Sequence, residues 1–111
     1  MDIEVKEVGN IAVVKPSGSI DIHTSAGLNK VLQGLLENET YRLVIDMAQV
    51  SFIDSSGIAA CVSKLPRLTK GGGGLRFAGV SPEVLNIFKI ADLLSYIEVD
   101  GSVEDALKSF E

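Results

Sequence analysis

Asp54, Ser55 and Ser56, followed by Gly57, form a compact polar group inside the otherwise apolar stretch VSFIDSSGIAACV, residues 50–62. A carboxylate beside two hydroxyls admits three kinds of chemistry. The oxygens can cap a helix, a serine can act as a nucleophile, or a serine can accept a group that another protein transfers. Capping follows from position, because an apolar helical pattern begins here. A helix start presents unpartnered N–H groups and the positive end of the helix dipole. One cap uses one oxygen, so capping leaves part of the group unexplained. Ser56 is expected to serve the helix start. Gly57 lies just inside the expected helix, where glycine costs about 1 kcal/mol against alanine. A need to keep the approach to the backbone clear would offset that cost.

A nucleophilic serine needs a base within hydrogen-bond reach, normally histidine. His23 is the single histidine, on a segment that a parallel topology can bring to the same sheet edge. An orienting group and an oxyanion hole are needed as well, and IDSSG lacks the outer glycine of the nucleophile elbow. His23 therefore reads as a surface or loop-packing residue, and no catalytic residue is assigned. KGGGGL, residues 70–75, has neither the phosphate-loop nor the dinucleotide spacing and precedes a strand instead of following one. It reads as a helix stop and a flexible turn. Asp21, Asp46 and Asp54 can converge at strand ends, but three carboxylates alone do not define a metal site. No metal and no cofactor is expected. Cys61 falls on an apolar helical stripe and is read as a core residue. Phosphorylation remains: a serine at an exposed helix start can carry a phosphate of about −1.5 to −2 charge, which a helix N-terminus tolerates.

The elements that must position this group follow from hydrophobic periodicity. IEVKEV alternates as a half-exposed strand, Gly9–Asn10 signals a turn, and IAVVKP resumes a strand from Ile11. Thr24 is a candidate N-cap for a helix whose apolar face is Leu28, Val31, Leu32, Leu35 and Leu36. YRLVIDM, residues 41–47, is a strand with Leu43, Ile45 and Met47 on one face and Arg42, Val44 and Asp46 on the other. Beyond the polar group, Ile58, Cys61, Val62, Leu65 and Leu68 mark a second helix, ended by Gly71–Gly74. LRFAGV is a strand. SPEVLNIFKIADLL, residues 81–94, is a helix with Ser81 as N-cap and Pro82 at its first position. YIEV, residues 96–99, is a short strand, and SVEDALKSF a short helix capped by Ser102.

Strands alternating with helices imply an α/β fold with a mixed, mostly parallel sheet of about five strands, the first antiparallel. Strands covered on both faces read as continuous apolar runs. Arg42, Asp46, Arg76 and Glu98 break those runs, so helices are expected mainly on one face.

A chain of 111 residues, 46% of them hydrophobic, suffices for one core, and residues 1–111 are read as a single domain. The net charge of −5, with Lys and Arg scattered, argues against nucleic acid or an anionic membrane as the main partner. One cysteine excludes an internal disulfide and fits a reducing, cytoplasmic setting. MDIEVKEVGN alternates where a leader would be apolar, and no apolar run nears the length of a membrane span.

GSID at 18–21, LVIDMAQVSFIDSSGIAACV at 43–62, the following Gly-Gly, and VSPEVLNIFKIADL at 80–93 occur in order along the chain. Together they resemble anti-sigma factor antagonists of the STAS superfamily over essentially the whole length. The resemblance implies the STAS-type β/α superhelix and a non-enzymatic, partner-switching module. It implies that Ser55, directly after Asp54, is phosphorylated by a serine protein kinase that is also an anti-sigma factor. The unphosphorylated form then binds that kinase, the phosphorylated form lets go, and a metal-dependent serine phosphatase resets it. Asp21 is implied beside the phosphoacceptor, with Asp54, Ser56 and Gly57 as its surroundings. The alternative is a STAS subunit of a lipid-transport or stress-signalling complex without sigma-factor control. Two features depart from the pattern. Pro66 interrupts the helix after the polar group, at a cost of about 3 kcal/mol or a kink, and the glycine run is longer than usual.

Overall fold

The computed structural model describes all residues, Met1–Glu111. The chain opens with the expected hairpin: β1 (Asp2–Val8) and β2 (Ile11–Ile20) pair antiparallel and close at Val8↔Ile11. Gly9 holds φ at 62° in the turn, a left-handed value that two-residue hairpin turns demand. Then follow α1 (Ser25–Glu37), β3 (Arg42–Asp46), β4 (Val50–Ile53), α2 (Ser55–Val62), α3 (Leu65–Lys70) and β5 (Gly74–Ala78). The last elements are α4 (Pro82–Ile90), β6 (Glu98–Asp100) and α5 (Val103–Ser109). The sheet order is β1-β2-β3-β5-β6, and every pair after the first is parallel. The fold is thus the mixed, mostly parallel α/β arrangement that the alternating pattern predicts.

β4 makes a sixth strand that the pattern of residues 50–53 does not announce. Ser51 and Phe52 are both exposed, so the alternation that marks a strand is missing. The cause is a bulge: the register jumps from Gly18↔Val50 to Ser19↔Phe52, leaving Ser51 over. β2 correspondingly runs past Pro16, where the sequence suggests an end. It pairs with β3 through Ile11–Val14 and with β4 through Gly18–Ile20. Pro16 falls between the two, where the ladder needs no N–H from it.

The main core lies on one sheet face. Leu28, Leu32 and Leu36 of α1, Cys61 of α2, Leu68 of α3 and Phe88 of α4 are all fully buried there against Val14, Leu43, Ile45 and Phe77. Burying each such leucine or phenylalanine is worth roughly 1.5–3 kcal/mol. Phe77 and Phe88 meet edge to face with ring centres 5.2 Å apart, joining β5 to α4. The opposite face carries one helix. α5 covers Ile11, Val13, Val44 and Ala78 through Ala106, Val103, Leu107 and Phe110. The charged residues that break the strand runs lie on this second face: Arg76 pairs with Asp100 through Nε at 2.6 Å and a second bond at 3.2 Å, and Arg42 donates to the Phe110 carbonyl. The Asp100 carboxylate accordingly raises the Arg76 pKa.

Four local expectations are revised. The helix after the polar group divides at Ser63–Lys64 into α2 and α3, and Pro66 sits in the first turn of α3. There its missing N–H would have no helical partner anyway. The glycine run stops α3 at Gly71 and turns the chain as expected, but it is close-packed at Gly71 and Gly73. A side chain on Gly71 would meet the Tyr41 ring, and one on Gly73 would meet the Tyr41 carbonyl oxygen. The helix from Pro82 stops at Ile90, and Asp92 takes φ 55° just beyond it. The last strand is shifted to Glu98–Asp100. Ser81 and Ser102 cap their helices as expected, accepting from Val84 and Asp105 N–H at 3.2 and 3.1 Å.

Candidate functional site

The polar group lies where β4 ends and α2 begins, at the rim formed with the β2–α1 loop. The two segments are tied directly, because the Asp54 N–H donates to the Ile20 carbonyl at 3.0 Å. Asp54 is the N-cap of α2, with extended backbone. Its Oδ1 accepts from Ser56 N–H at 2.9 Å, from Gly57 N–H at 3.3 Å and from the Ser56 hydroxyl at 2.5 Å. The Ser56 hydroxyl chiefly, then the Gly57 and Ser56 N–H groups and that of Ile22, hold the Asp54 carboxyl below its ordinary value. Ser56 therefore serves the helix start indirectly, by bonding to the residue that caps it.

Ser55 is the first residue of α2 and is exposed, and its hydroxyl takes no part in the hydrogen bonds that engage its neighbours. Of the two adjacent hydroxyls, one is committed to Asp54 and one faces solvent. Gly57 has its reason on the inner side of the helix. A Cβ there would stand 2.5 Å from Ile20 Cγ2 and 2.8 Å from Ile53 Cγ1. Glycine lets the first turn of α2 lie close on the ends of β2 and β4.

Asp21 belongs to the adjoining loop. Its Oδ1 accepts from His23 N–H at 2.9 Å and from the Thr24 hydroxyl at 3.4 Å, and its N–H donates to Thr24 Oγ1 at 2.9 Å. Thr24 occupies the N-cap position of α1 but makes no side-chain cap bond. Its hydroxyl turns back onto the loop and donates to the Ser19 carbonyl at 2.8 Å. The conformation explains this departure: Thr24 has helical φ and ψ, −116° and −19°, where a capping side chain needs extended backbone. His23 is exposed, its N–H tied to Asp21. Asp46 is also spent locally, accepting from Ala48 N–H at 3.1 Å, and no group of three metal-ligating side chains forms. Cys61 is fully buried, and desolvation pushes its thiol up to about 12, which keeps it inert.

Three features of the rim escape the sequence reading. Ile22 and Phe52 stand out from it, 74% and 45% exposed, one on each segment that Asp54 and Ile20 join. A shallow groove of about 390 Å³ runs between α1 and α2, lined by small residues including Ala26, Ser56, Ala59 and Ser63. At its far end the buried Lys64 reaches across and donates to Asn29 of α1. An isolated isoleucine in a loop and a phenylalanine in a bulged strand carry no periodic signal. The small residues of α2 are legible as a stripe, but their facing α1 is not.

The chain as a whole is similar in sequence and in fold to known proteins. The anti-sigma-B factor antagonist of Staphylococcus epidermidis is 28% identical over 104 residues, 94% of this chain and 96% of that protein. An anti-sigma factor antagonist from Mycobacterium paratuberculosis superposes with a TM-score of 0.89 at 23% identity, over 98% of this chain and 92% of that one. The Bacillus cell fate determinant SpoIIAA in its phosphorylated form superposes with a TM-score of 0.75 at 17% identity, over 99% and 100% of the two chains. No helix is long and apolar enough to cross a membrane. The family description "STAS domain" matches residues 2–106, both faces of the sheet and the polar rim included, and the chain belongs to that family.

Proposed function

We propose that this protein is an anti-sigma factor antagonist that works by partner switching in the cytoplasm, with Ser55 as its phosphoacceptor. The observation that carries the site is the division of labour at the helix start. Asp54 holds the Ser56 hydroxyl at 2.5 Å, while the Ser55 hydroxyl is exposed and uncommitted. The antagonist role is supported by the relatives that bear that name along nearly their whole length. The partner is an anti-sigma factor that is also a serine kinase. It binds the unphosphorylated rim, with Ile22 and Phe52 as apolar contacts beside Ser55, and a metal-dependent phosphatase restores that state. The protein itself turns nothing over.

The switch acts at the interface and leaves the fold intact. Negative charge at an exposed helix N-terminus is favourable by about 0.3–1 kcal/mol, and Asp54 opposes it, so the net effect on stability is small. An interface that covers Ser55 must desolvate the phosphate, and a buried unpaired charge costs several kcal/mol. A loss of about 3 kcal/mol already weakens binding more than a hundredfold.

The test is a pulldown from the source organism with wild type, Ser55→Ala and Ser55→Asp, followed by phosphopeptide mapping with the captured kinase and ATP. Wild type and Ser55→Ala are expected to retain the partner, Ser55→Asp to lose it while melting at the wild-type temperature, and phosphate to map to Ser55. Stoichiometric phosphate on Ser56 of the wild type would overturn the assignment. So would a Ser55→Asp variant that loses its partner only in proportion to its unfolded fraction. Esterase or nucleotide hydrolysis that vanished in Ser55→Ala would replace the switch with an enzyme.

A further inference from the structure

Strand β1 is an open edge. It pairs with β2 through all of its residues, from Asp2↔Ser17 to Val8↔Ile11, and with no strand on its other side. Proteins usually blunt such an edge with proline, a bulge, a very short strand or charged side chains, lysine above all. Of these devices β1 carries only charge, at Asp2, Glu4, Lys6 and Glu7. β1 is seven residues long, its register is unbroken, and its sequence DIEVKEV has no proline. Apart from Ile3, its residues are exposed.

The hairpin determines which backbone groups are free. The turn Gly9–Asn10 has two residues, so its closing pair Val8↔Ile11 is hydrogen-bonded. Hydrogen-bonded and non-hydrogen-bonded pairs alternate along an antiparallel ladder. Even-numbered residues of β1 therefore bond to β2. Ile3, Val5 and Glu7 turn their N–H and C=O groups to the open side. Pro16 agrees with this parity, since it stands opposite Ile3, at a pair that needs no N–H from it.

We propose that β1 pairs antiparallel with β1 of a second copy of this chain, about a two-fold axis through Val5. Outward groups meet outward groups only when the axis passes through a residue, and Glu4, Val5 and Lys6 are the central choices. An axis at Glu4 sets Glu4 against itself, and an axis at Lys6 sets Lys6 against itself. The axis at Val5 sets Val5 on Val5, Ile3 on Glu7, and Glu4 on Lys6 twice. Directly opposite unlike charges stabilise a ladder and like charges weaken it. Glu4 and Lys6 also fall at non-hydrogen-bonded positions of the new ladder, where side chains approach more closely. The contact is isologous and closed, and Val5, 45% exposed in the single chain, is covered by its own copy. β3 and β4 take the other edge of β2, the Gly18 N–H donating to Gln49 and the Ile20 carbonyl accepting from Asp54. The dimer therefore uses a different edge from the strand that leads into Ser55, and it does not depend on the phosphoswitch.

Sedimentation equilibrium of the full chain up to millimolar concentration tests this. Wild type is expected to dimerise. Glu4→Lys carries positive charge at both positions 4 and 6, and Lys6→Glu negative charge at both. Each alone is expected to weaken the homodimer about tenfold, and an equimolar mixture to recover wild-type affinity as a heterodimer. Val5→Pro loses only an outward N–H, so it is expected to keep the hairpin and the wild-type melting curve but remain monomeric. The proposal is overturned by a wild type that stays monomeric at millimolar concentration, by a folded Val5→Pro that still dimerises, or by a mixture that fails to restore association. Should Val5→Pro unfold, the charge-exchange mixture decides alone, because its surface substitutions leave the core untouched.

Discussion

Asp54 is the residue on which the rim turns. Its carboxyl sits below the ordinary value of 3.8, first because of the Ser56 hydroxyl and then because of backbone N–H groups. A depressed folded value means that the cap's contribution is complete above the unfolded value. It disappears as pH falls through the folded one. Paired denaturant melts of wild type and Asp54→Ala are expected to show a constant stability gap at neutral pH that closes on acidification below pH 3.8. A gap that survives acidification would show that the carboxylate is not what holds the helix start. Gly57 supplies a second test. Alanine there gains about 1 kcal/mol of helix propensity but forces a Cβ to 2.5 Å from Ile20 Cγ2, an overpacking worth about 1–3 kcal/mol. The expected net is a loss of up to about 2 kcal/mol by urea titration. A stabilised Gly57→Ala would mean that the glycine serves the surface instead of the core.

At the scale of elements, the joint between α3 and β5 shows how close approach to Tyr41 constrains two glycines of the run, Gly71 by its ring and Gly73 by its backbone. Gly73 N–H donates to Leu68 and Gly74 N–H to Tyr41, at 2.9 Å each, so the turn is hydrogen-bonded throughout. Tyr41 occupies the space that side chains on Gly71 and Gly73 would need, whereas a Cβ on Gly74 would meet only Phe110 at 3.7 Å. Gly73→Ala is therefore expected to destabilise by about 3 kcal/mol or more, since the obstacle is backbone that cannot swing aside. Gly74→Ala, one residue along, is expected to stay within about 0.5 kcal/mol of wild type. Equal effects in thermal melts would show that the run serves flexibility and not packing.

The whole molecule is asymmetric across its sheet. Nineteen buried residues form the core under α1–α4, and five form the one under α5. Local opening follows local burial, so α5 has less to lose than α1 or β3. Native-state hydrogen exchange is expected to show α5 amides exchanging through a sub-global opening while those of β3 and α1 require global unfolding. Equal protection in all three would mean that the small cluster is fully cooperative with the large one. The asymmetry also leaves the rim free. Ser55, Ile22 and Phe52 are exposed and belong to neither core.

Local chemistry was legible without coordinates wherever one element explains it. The hairpin at Gly9–Asn10, the leucine face of α1, the serine caps at Ser81 and Ser102 and the alternating faces of β3 all follow from period and propensity. So does the presence of a helix start at Asp54 with its hydroxyls. Everything that depends on two distant segments had to wait for the tertiary structure. The extension of β2 beyond Pro16 and the bulged β4 exist only because each supplies the other's ladder, and a bulge erases the alternation that announces a strand. That Ser56 serves the helix start is expected from the sequence, and the structure adds the bond to Asp54 that commits its hydroxyl. Gly57 and Gly73 look like permissive residues in the chain; they are constrained ones in space, because Ile20, Ile53 and Tyr41 come from other strands or their flanks. Periodicity reports which side of an element is buried. Only the packed fold reports what lies against it.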